Sequence, residues 1–397
     1  MFDRLNALPA DPLLGLITMF RDDPNPSKVD LGVGVYRDET GHTPIMTAVQ
    51  KAAKHHMETE DSKTYIGPGG VVGFVEGIKS LVLGSESSVL KDNRIAGLQC
   101  PGGCGSLRVA AELLVRLKDE LTVWVSDPTW ANHIPLISSA GLPIKTYPYF
   151  DAETGGVNFE AMESQLAKLG PKDIVLLHGC CHNPTGADLS FENWKRVAEL
   201  AVEKGFIPFV DIAYQGLGDG LVEDVEGVRY LSERVEEMII ATSCSKNFGL
   251  YRERAGTLLV QTKDSENARA IQTQIQDIAR AIYSMSPAYG GFLVDIILSD
   301  NALRTEWENE LNAMAARVKS LRSGLLEKIQ ARGIDKDFSF ITTQKGMFSY
   351  LGINKEQVAR MRNEFSIYMA DSSRINVAGL NTHCLDYVAD ALKKVCE

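Results

Sequence analysis

Lys246 stands in the run Thr242-Ser243-Cys244-Ser245-Lys246-Asn247-Phe248-Gly249-Leu250-Tyr251-Arg252-Glu253-Arg254, behind small hydroxyl residues and eight positions ahead of an arginine. An amine attacks a carbonyl carbon only after losing its proton, and burial or a neighbouring cation makes that loss easier. Ser243, Ser245 and the Arg254 guanidinium suit a phosphate. The run therefore fits a lysine that bonds to a phosphorylated aldehyde. A serine-rich turn carrying a solvated lysine has the same local sequence, and short motifs recur by chance. The rest of the chain decides between the two.

Four more clusters bear on that choice. Pro101-Gly102-Gly103-Cys104-Gly105-Ser106 precedes a helical pattern that begins at Leu107. Glycines permit close backbone approach, and a helix N-terminus turns free N–H groups toward an anion. Asp127-Pro128-Thr129-Trp130-Ala131-Asn132-His133 offers an indole face for a heteroaromatic ring and an imidazole able to orient a buried carboxylate. In His182-Asn183-Pro184-Thr185-Gly186 the proline holds Asn183 extended, so its amide can project toward a phenolate oxygen. In Val210-Asp211-Ile212-Ala213-Tyr214-Gln215-Gly216 a carboxylate closes an apolar run. Burying it is costly unless a cation or strong donor meets it. A protonated ring nitrogen is such a partner, with the Tyr214 hydroxyl beside the ring oxygen. Each cluster alone also reads as ordinary structure: a turn, a core tryptophan, a strand end.

The elements that must hold these residues follow from the apolar pattern. Short, nearly continuous apolar runs at 121–126, 174–178, 207–211, 238–243 and 257–260 predict strands, with amphipathic helical segments such as 107–118 between them. That alternation predicts an α/β fold with a mostly parallel sheet, whose ligand site lies at the carboxyl ends of the strands. Asp127, Asn183, Asp211 and Ser243 each close or follow a predicted strand. Leu303, Trp307, Leu311, Met314, Val318, Leu321, Leu325 and Ile329 recur every three or four residues and predict one long helix over 301–332, stopped near Gly333. Strand signals follow at 338–342 and 347–351, then a helix at 355–365, the Arg374 segment and a last helix from Leu385. We divide the chain into an N-terminal arm and part of a small domain (1–45), a large domain (46–310) and the rest of the small domain (311–397). The long helix joins the last two.

Composition removes other functions. The 397 residues carry a net charge of −11, which disfavours non-specific binding to nucleic acid or anionic membranes and leaves room for a local basic pocket. No stretch is apolar for long enough to span a bilayer, and residues 1–11 lack the basic start and apolar core of a signal peptide. Seven scattered cysteines argue for free thiols in a reducing cytoplasm. Cys180 and Cys181, beside His178 and His182, read as packing: adjacent side chains after a strand diverge, and no second pair has zinc spacing. No metal is expected.

In this order, the strings Cys180-Cys181-His182-Asn183-Pro184-Thr185-Gly186 and Asp211-Ile212-Ala213-Tyr214-Gln215-Gly216, with the Lys246–Arg254 run, make the chain resemble the class I aminotransferases of the pyridoxal-phosphate fold-type I superfamily. The likeness is to bacterial aspartate aminotransferases and the neighbouring aromatic ones, and runs from Asp11-Pro12 to the C-terminus. It implies a large domain with a mostly parallel sheet flanked by helices, a smaller α+β domain, pyridoxal 5'-phosphate as cofactor, and a cytoplasmic homodimer. By this resemblance Lys246 carries the cofactor and moves the Cα proton, while Asp211 keeps the ring nitrogen protonated. Asn183 and Tyr214 bind the ring oxygen, Trp130 stacks on the ring and His133 supports Asp211. Arg254, Ser243, Ser245 and the Gly103-Cys104 backbone hold the phosphate, which Tyr65 reaches from the neighbouring subunit. Arg374 clamps the substrate α-carboxylate through two parallel hydrogen bonds. Arg280, followed by Ser284, crosses the interface to a side-chain carboxylate. Gly34 leaves backbone close to substrate and Phe348 lines the pocket. Two such arginines imply aspartate and glutamate, with oxaloacetate and 2-oxoglutarate as their keto partners, in a ping-pong exchange.

The chain departs from the pattern in places. Cys104 stands where aspartate-type relatives carry Thr and aromatic-type relatives often Ser, and Ser286 replaces a Pro near Arg280. Thr64 and Met285 also differ, whereas Val35, Arg37 and Thr43 keep the aspartate type's character. Three alternatives stay distinguishable. An aromatic aminotransferase would favour phenylalanine over aspartate in kcat/KM. A decarboxylase or lyase on the same fold would release CO₂ or ammonia without a keto-acid acceptor, and has no need of both Arg374 and Arg280. A non-catalytic binder has no need of Lys246, Asp211 and Tyr214 together.

Overall fold

The computed structural model describes residues 2–8, 12–118 and 120–397. Asp11, where the resemblance begins, lies outside them, as do Met1, Pro9 and Ala10 of the segment read above as lacking a signal peptide.

The apolar runs form a seven-stranded sheet in the spatial order Ile95–Pro101, Ala255–Gln261, Met238–Ser243, Ile207–Ile212, Asp173–His178, Thr122–Asp127, Ile144–Pro148. Alternate residues face opposite sides, as strand geometry requires. Leu98, Val123, Ile174, Leu176, Phe209, Ile239 and Leu258 pack with Leu107, Ala110, Ala111 and Leu114 of the helix Gly102–Arg116. Val175, Leu177, Val210, Ile212, Ile240 and Leu259 face the other core, with Phe74, Val197, Leu231 and Val294. Burial on both faces explains why these strands read as unbroken apolar runs.

One strand runs backwards. Ala255–Gln261 is antiparallel to both neighbours, pairing Ala255 with Pro101 and Gly256 with Ser243. Its beginning therefore lies where the other strands end, and Arg254 arrives at the carboxyl edge of the sheet.

Every predicted strand of the sheet is present within one or two residues of its expected ends. The pattern had not singled out Ile95–Pro101, interrupted by Gly97 and Gln99, or Ile144–Pro148, an edge strand with Lys145 and Thr146 exposed. The helix expected from Leu107 starts earlier, at Gly102. Its glycines fit into the first turn because no side chain would: a Cβ on Gly105 would sit 2.6 Å from Pro101 Cδ. The segment 338–342, expected as a strand, instead enters a helical turn at Phe340–Thr343. Asp337 accepts the Ser339 N–H and hydroxyl, both at 2.8 Å, and closes a turn that competes with extended backbone.

The long helix is Asn301–Ala331, capped by the Asp300 carboxylate accepting from the N–H groups of Ala302 and Leu303 at 2.8 and 2.9 Å. Beyond it, Phe348–Tyr350 pairs antiparallel with Arg374–Asn376, and Ile367–Tyr368 pairs parallel with Val29–Asp30. The two ends of the chain thereby meet. Among the described residues no helix is long and apolar enough to cross a membrane.

Candidate active site

A cavity of about 190 Å³ opens at the carboxyl ends of the strands. It gathers Gly34, Gly103, Cys104, Trp130, Asn183, Asp211, Tyr214, Ser243, Ser245, Lys246 and Arg254 from segments far apart in sequence.

At one end lies a set of anion donors. Arg254 Nη1 donates to Ser245 Oγ at 3.3 Å and to the Tyr251 carbonyl at 2.9 Å, and Ser243 Oγ donates to Ser245 Oγ at 3.1 Å. Gly103, in the first turn of its helix, sits where a Cβ would come 3.3 Å from Ser243 Cβ. Gly102 has φ +69°, and a Cβ there would lie 2.5 Å from Arg254 Nη2. Only glycine lets the guanidinium nest against the helix start. Helix N-terminus, two hydroxyls and one guanidinium form a donor set that fits a phosphate. The Cys104 thiol accepts weakly from Asn132 Nδ2 at 3.7 Å.

Across the cavity, buried Asp211 meets His133 Nε2 at 3.1 Å. A carboxylate only accepts, so Nε2 carries the proton and Nδ1 accepts from Thr129 Oγ1 at 2.8 Å. Thr129 Oγ1 in turn lies 3.2 Å from His178 Nε2. Burial pushes the Asp211 carboxyl up, but the His133 hydrogen bond and nearby positive charge outweigh it, and the net shift is downward. Burial lowers His178 to about 3, so it is neutral. Asp211 thus presents a held anion to the cavity at neutral pH.

Between these ends stands Lys246, partly buried, its Nζ 4.8 Å from the Tyr214 ring centroid. Burial lowers its pKa, and Arg254 adds to this against the pull of Asp211 and Cys104. The amine is readied to lose its proton. Its loop is fixed to the long helix: Phe248 stacks on Trp307 at 4.3 Å, and Trp307 Nε1 donates to the Asn247 carbonyl at 2.8 Å. Burial raises the Tyr214 phenol, keeping its hydroxyl protonated.

Arg374 borders the cavity through Asn183. It is buried, with Nη2 donating to the Gly32 carbonyl at 2.8 Å and Nη1 to Asn183 Oδ1 at 3.4 Å. Its Nε has no partner, and among the described residues no carboxylate comes within ion-pair distance. The guanidinium lies 4.5 Å from the Phe348 ring, which also meets Tyr214 edge-on at 5.9 Å and would touch a Cβ on Gly34 at 3.0 Å. A buried cation without a counter-charge is costly to keep. Here the cation stands behind Asn183 of the cavity wall, where an anionic ligand can offset that cost.

Tyr65, Arg280 and Ser284 do not join this cavity; all three are exposed, Tyr65 at 88%. Sequence reasoning gave no role to Tyr251, whose hydroxyl accepts the Tyr36 N–H at 2.9 Å, or to the Thr129–His178 link. Both lie inside motifs already singled out, but their partners are set by the fold. Adjacent Cys180 and Cys181 converge where divergence was expected: their sulfurs and an Asp224 oxygen all lie within 4.8 Å of one another. Cys181 adopts φ +51°, which turns it out of the strand alternation. Asp224 is already occupied, accepting the N–H groups of Gly216, Gly218 and Asp219 at 2.6–2.9 Å.

Residues 26–392 match the family described as Aminotransferase class I and II, and the chain belongs to that family. It is 45% identical over 395 residues to an aspartate aminotransferase of Escherichia coli (strain K12), across 100% of both chains. It is also 45% identical over 395 residues to an aromatic-amino-acid aminotransferase of Paracoccus denitrificans, again across 100% of both. Its structure is similar to that of an aromatic-amino-acid aminotransferase from Burkholderia pseudomallei covalently bound to pyridoxal phosphate, with a TM-score of 0.98, 40% identity and 100% of each chain covered.

Proposed function

We propose that this chain is a pyridoxal-phosphate-dependent aminotransferase that moves the amino group between L-aspartate and 2-oxoglutarate, yielding oxaloacetate and L-glutamate in two alternating half-reactions. The observation that carries this reading is a deprotonation-prone Lys246 amine lining the cavity together with a buried, uncompensated Arg374 guanidinium that reaches its wall at Asn183. The first is a nucleophile for a carbonyl, and the second is a seat for a carboxylate.

The donor set fits the cofactor. Arg254, Ser243, Ser245 and the Gly103-Cys104 backbone would hold its phosphate, Asp211 its ring nitrogen, Asn183 and Tyr214 its ring oxygen, and Trp130 its ring face. When bound, pyridoxal phosphate supplies an electron sink that makes the substrate Cα–H acidic. Lys246 Nζ then holds and returns that proton, helped by a pKa already lowered by burial. His133 keeps Asp211 oriented and ionised. Arg374 grips the α-carboxylate, which fixes the substrate's direction as well as its charge.

Arg280, Tyr65 and Ser284 serve the site of a second copy in this reading, so the working unit is a homodimer, in the cytoplasm. In this reading part of 1–45, the rest of it being an N-terminal arm, joins 311–397 in a small domain that closes on residues 46–310 and excludes water. A second reading, preference for phenylalanine, tyrosine or tryptophan, is favoured by the aromatic relatives at equal identity and by an exposed Arg280 that no side chain among the described residues holds. One assay tests both: purified protein with pyridoxal phosphate, 2-oxoglutarate and a panel of amino donors. Aspartate should give the highest kcat/KM. A phenylalanine advantage selects the second reading, and CO₂ or ammonia release without acceptor sinks transamination altogether.

A further inference from the structure

The apolar stripe of the long helix contains one charge. Val318, Arg322, Leu325 and Ile329 follow at helical spacing, and all are buried, Arg322 at 2% exposure. No carboxylate lies within ion-pair distance of Arg322 among the described residues. Its Nη1 donates to the Ile341 carbonyl at 2.8 Å and to Ser349 Oγ at 2.6 Å. Its Nη2 donates to the carbonyls of Lys345, Gly346 and Phe348 at 3.2, 2.8 and 2.7 Å. All five acceptors belong to one segment, 341–349. A core position that could take leucine instead takes a planar guanidinium whose two terminal nitrogens serve all five acceptors, its Nε being left without a partner.

That segment is the back wall of the substrate clamp. Its outer side docks on the loop that carries Asn183: the Lys345 N–H donates to the Gly186 carbonyl at 2.7 Å. Gly186 approaches so closely that a Cβ would lie 2.3 Å from the Phe348 carbonyl oxygen. The Phe348 ring supports Arg374 on one side and Tyr214 on another. From this geometry we infer that Arg322 is a positioning residue for substrate recognition: by gathering the carbonyls of 341–348 it sets the Phe348 ring, and through it the Arg374 guanidinium. The inference rests on the carboxylate-binding reading of Arg374 given above.

Arg322 touches neither the phosphate donors nor Asp211, so cofactor binding and substrate binding should separate when it is changed. Burial lowers its pKa to about 10, which leaves it charged at neutral pH. Lysine keeps that charge, but its three N–H groups radiate from a single nitrogen and cannot span five acceptors. Carbonyls left unpaired in the core will shift, and a displacement of the order of an ångström in a binding group costs roughly ten- to hundred-fold.

The test uses holoenzyme and succinate, an unreactive dicarboxylate. Wild type, Arg322→Lys and Ser349→Ala are compared for succinate Kd, KM for aspartate, pyridoxal phosphate affinity and melting temperature. The expected result for Arg322→Lys is a rise of about ten-fold or more in succinate Kd and in KM, with cofactor affinity within about two-fold of wild type. Ser349→Ala removes one acceptor of the five and should weaken succinate by about three-fold. Unchanged succinate binding in both variants overturns the inference. So does a parallel loss of cofactor affinity, succinate affinity and melting temperature, which is what a purely structural arginine would give. Should Arg322→Lys fail to fold, Ser349→Ala decides alone, an unchanged Kd refuting the role. Wild-type holoenzyme that binds no succinate would overturn the dicarboxylate reading itself, an outcome visible before any substitution is made.

Discussion

Replacing Arg374 by methionine should weaken the ligand and spare the fold. Two charge-assisted hydrogen bonds to a carboxylate are worth about 1.5–3 kcal/mol each, so their loss amounts to about 3–6 kcal/mol. That corresponds to a rise of roughly 10²–10⁴ in the Kd of a dicarboxylate. The apo protein should respond in the opposite sense. Arg374→Met leaves the Gly32 carbonyl without its donor, at about 1–3 kcal/mol, and removes a guanidinium–ring contact over Phe348 of about 1 kcal/mol. It also removes a buried cation whose Nε has no partner, a group whose desolvation penalty is several kcal/mol. Methionine fills the stem's volume and adapts to the gap. The net expectation is apo stability unchanged or raised by up to about 2 kcal/mol. Urea unfolding of apo wild type and variant at one protein concentration reads the first quantity, and titration of holoenzyme with succinate reads the second. Destabilisation beyond about 2 kcal/mol, or succinate affinity within three-fold of wild type, would show that Arg374 is held for the fold and not for an anion.

Three further outcomes follow from the same structure. Gly102→Ala places a Cβ 2.5 Å from Arg254 Nη2 at φ +69°, so pyridoxal phosphate affinity, read by absorbance titration, should fall about ten-fold or more with little loss of helix content. Burial raises Asp188 to about 6, above its unfolded value of about 3.9. The native state therefore binds the extra proton between those values. Its contribution is fully present below about pH 4 and lost as pH rises through about 6, roughly 2–3 kcal/mol in all. Asp188→Asn should flatten that part of the urea-midpoint profile. Lys246 has the reverse sign for a base: its folded pKa lies below the unfolded value of about 10.4, so the unfolded chain binds more protons between the two. Apo stability should rise with pH across that window, and the rise should be absent in Lys246→Met.

What a sequence reveals of such a site depends on how local the determinant is. The strand Met238–Ser243 was readable to the residue because both its faces are buried and its run is unbroken. Ile144–Pro148 was not, because this edge strand exposes Lys145 and Thr146 in succession and loses that signature. Asp211, Asn183 and Ser243 could be singled out because each closes or follows a run, and strand ends in a parallel sheet point one way. Arg254 was assigned by its distance from Lys246 along the chain, but the reason it reaches the site is the reversed strand that follows it, a fact of pairing.

The link from Asp211 through His133 and Thr129 to His178 shows the limit most clearly. His178 and Asp211 are register partners on neighbouring strands, and a one-residue slip would send the imidazole to the other face of the sheet. No spacing within either strand encodes that match. Arg322 stands between the two cases. A charge on the apolar stripe of a helix is visible in the sequence and has only two explanations: a solvated edge of the stripe, or a buried cation with a dedicated set of acceptors. Its burial, with five acceptors from one segment, selects the second. The residues that set the chemistry here sit at strand ends, where sequence announces them. The residue inferred to set the grip on substrate sits in the core of a distant helix, acting through backbone carbonyls that any side chain could have carried. Substitutions that tune substrate preference in this chain are therefore expected along 341–349 and its contacts with the long helix, before they are expected among the groups that hold the cofactor.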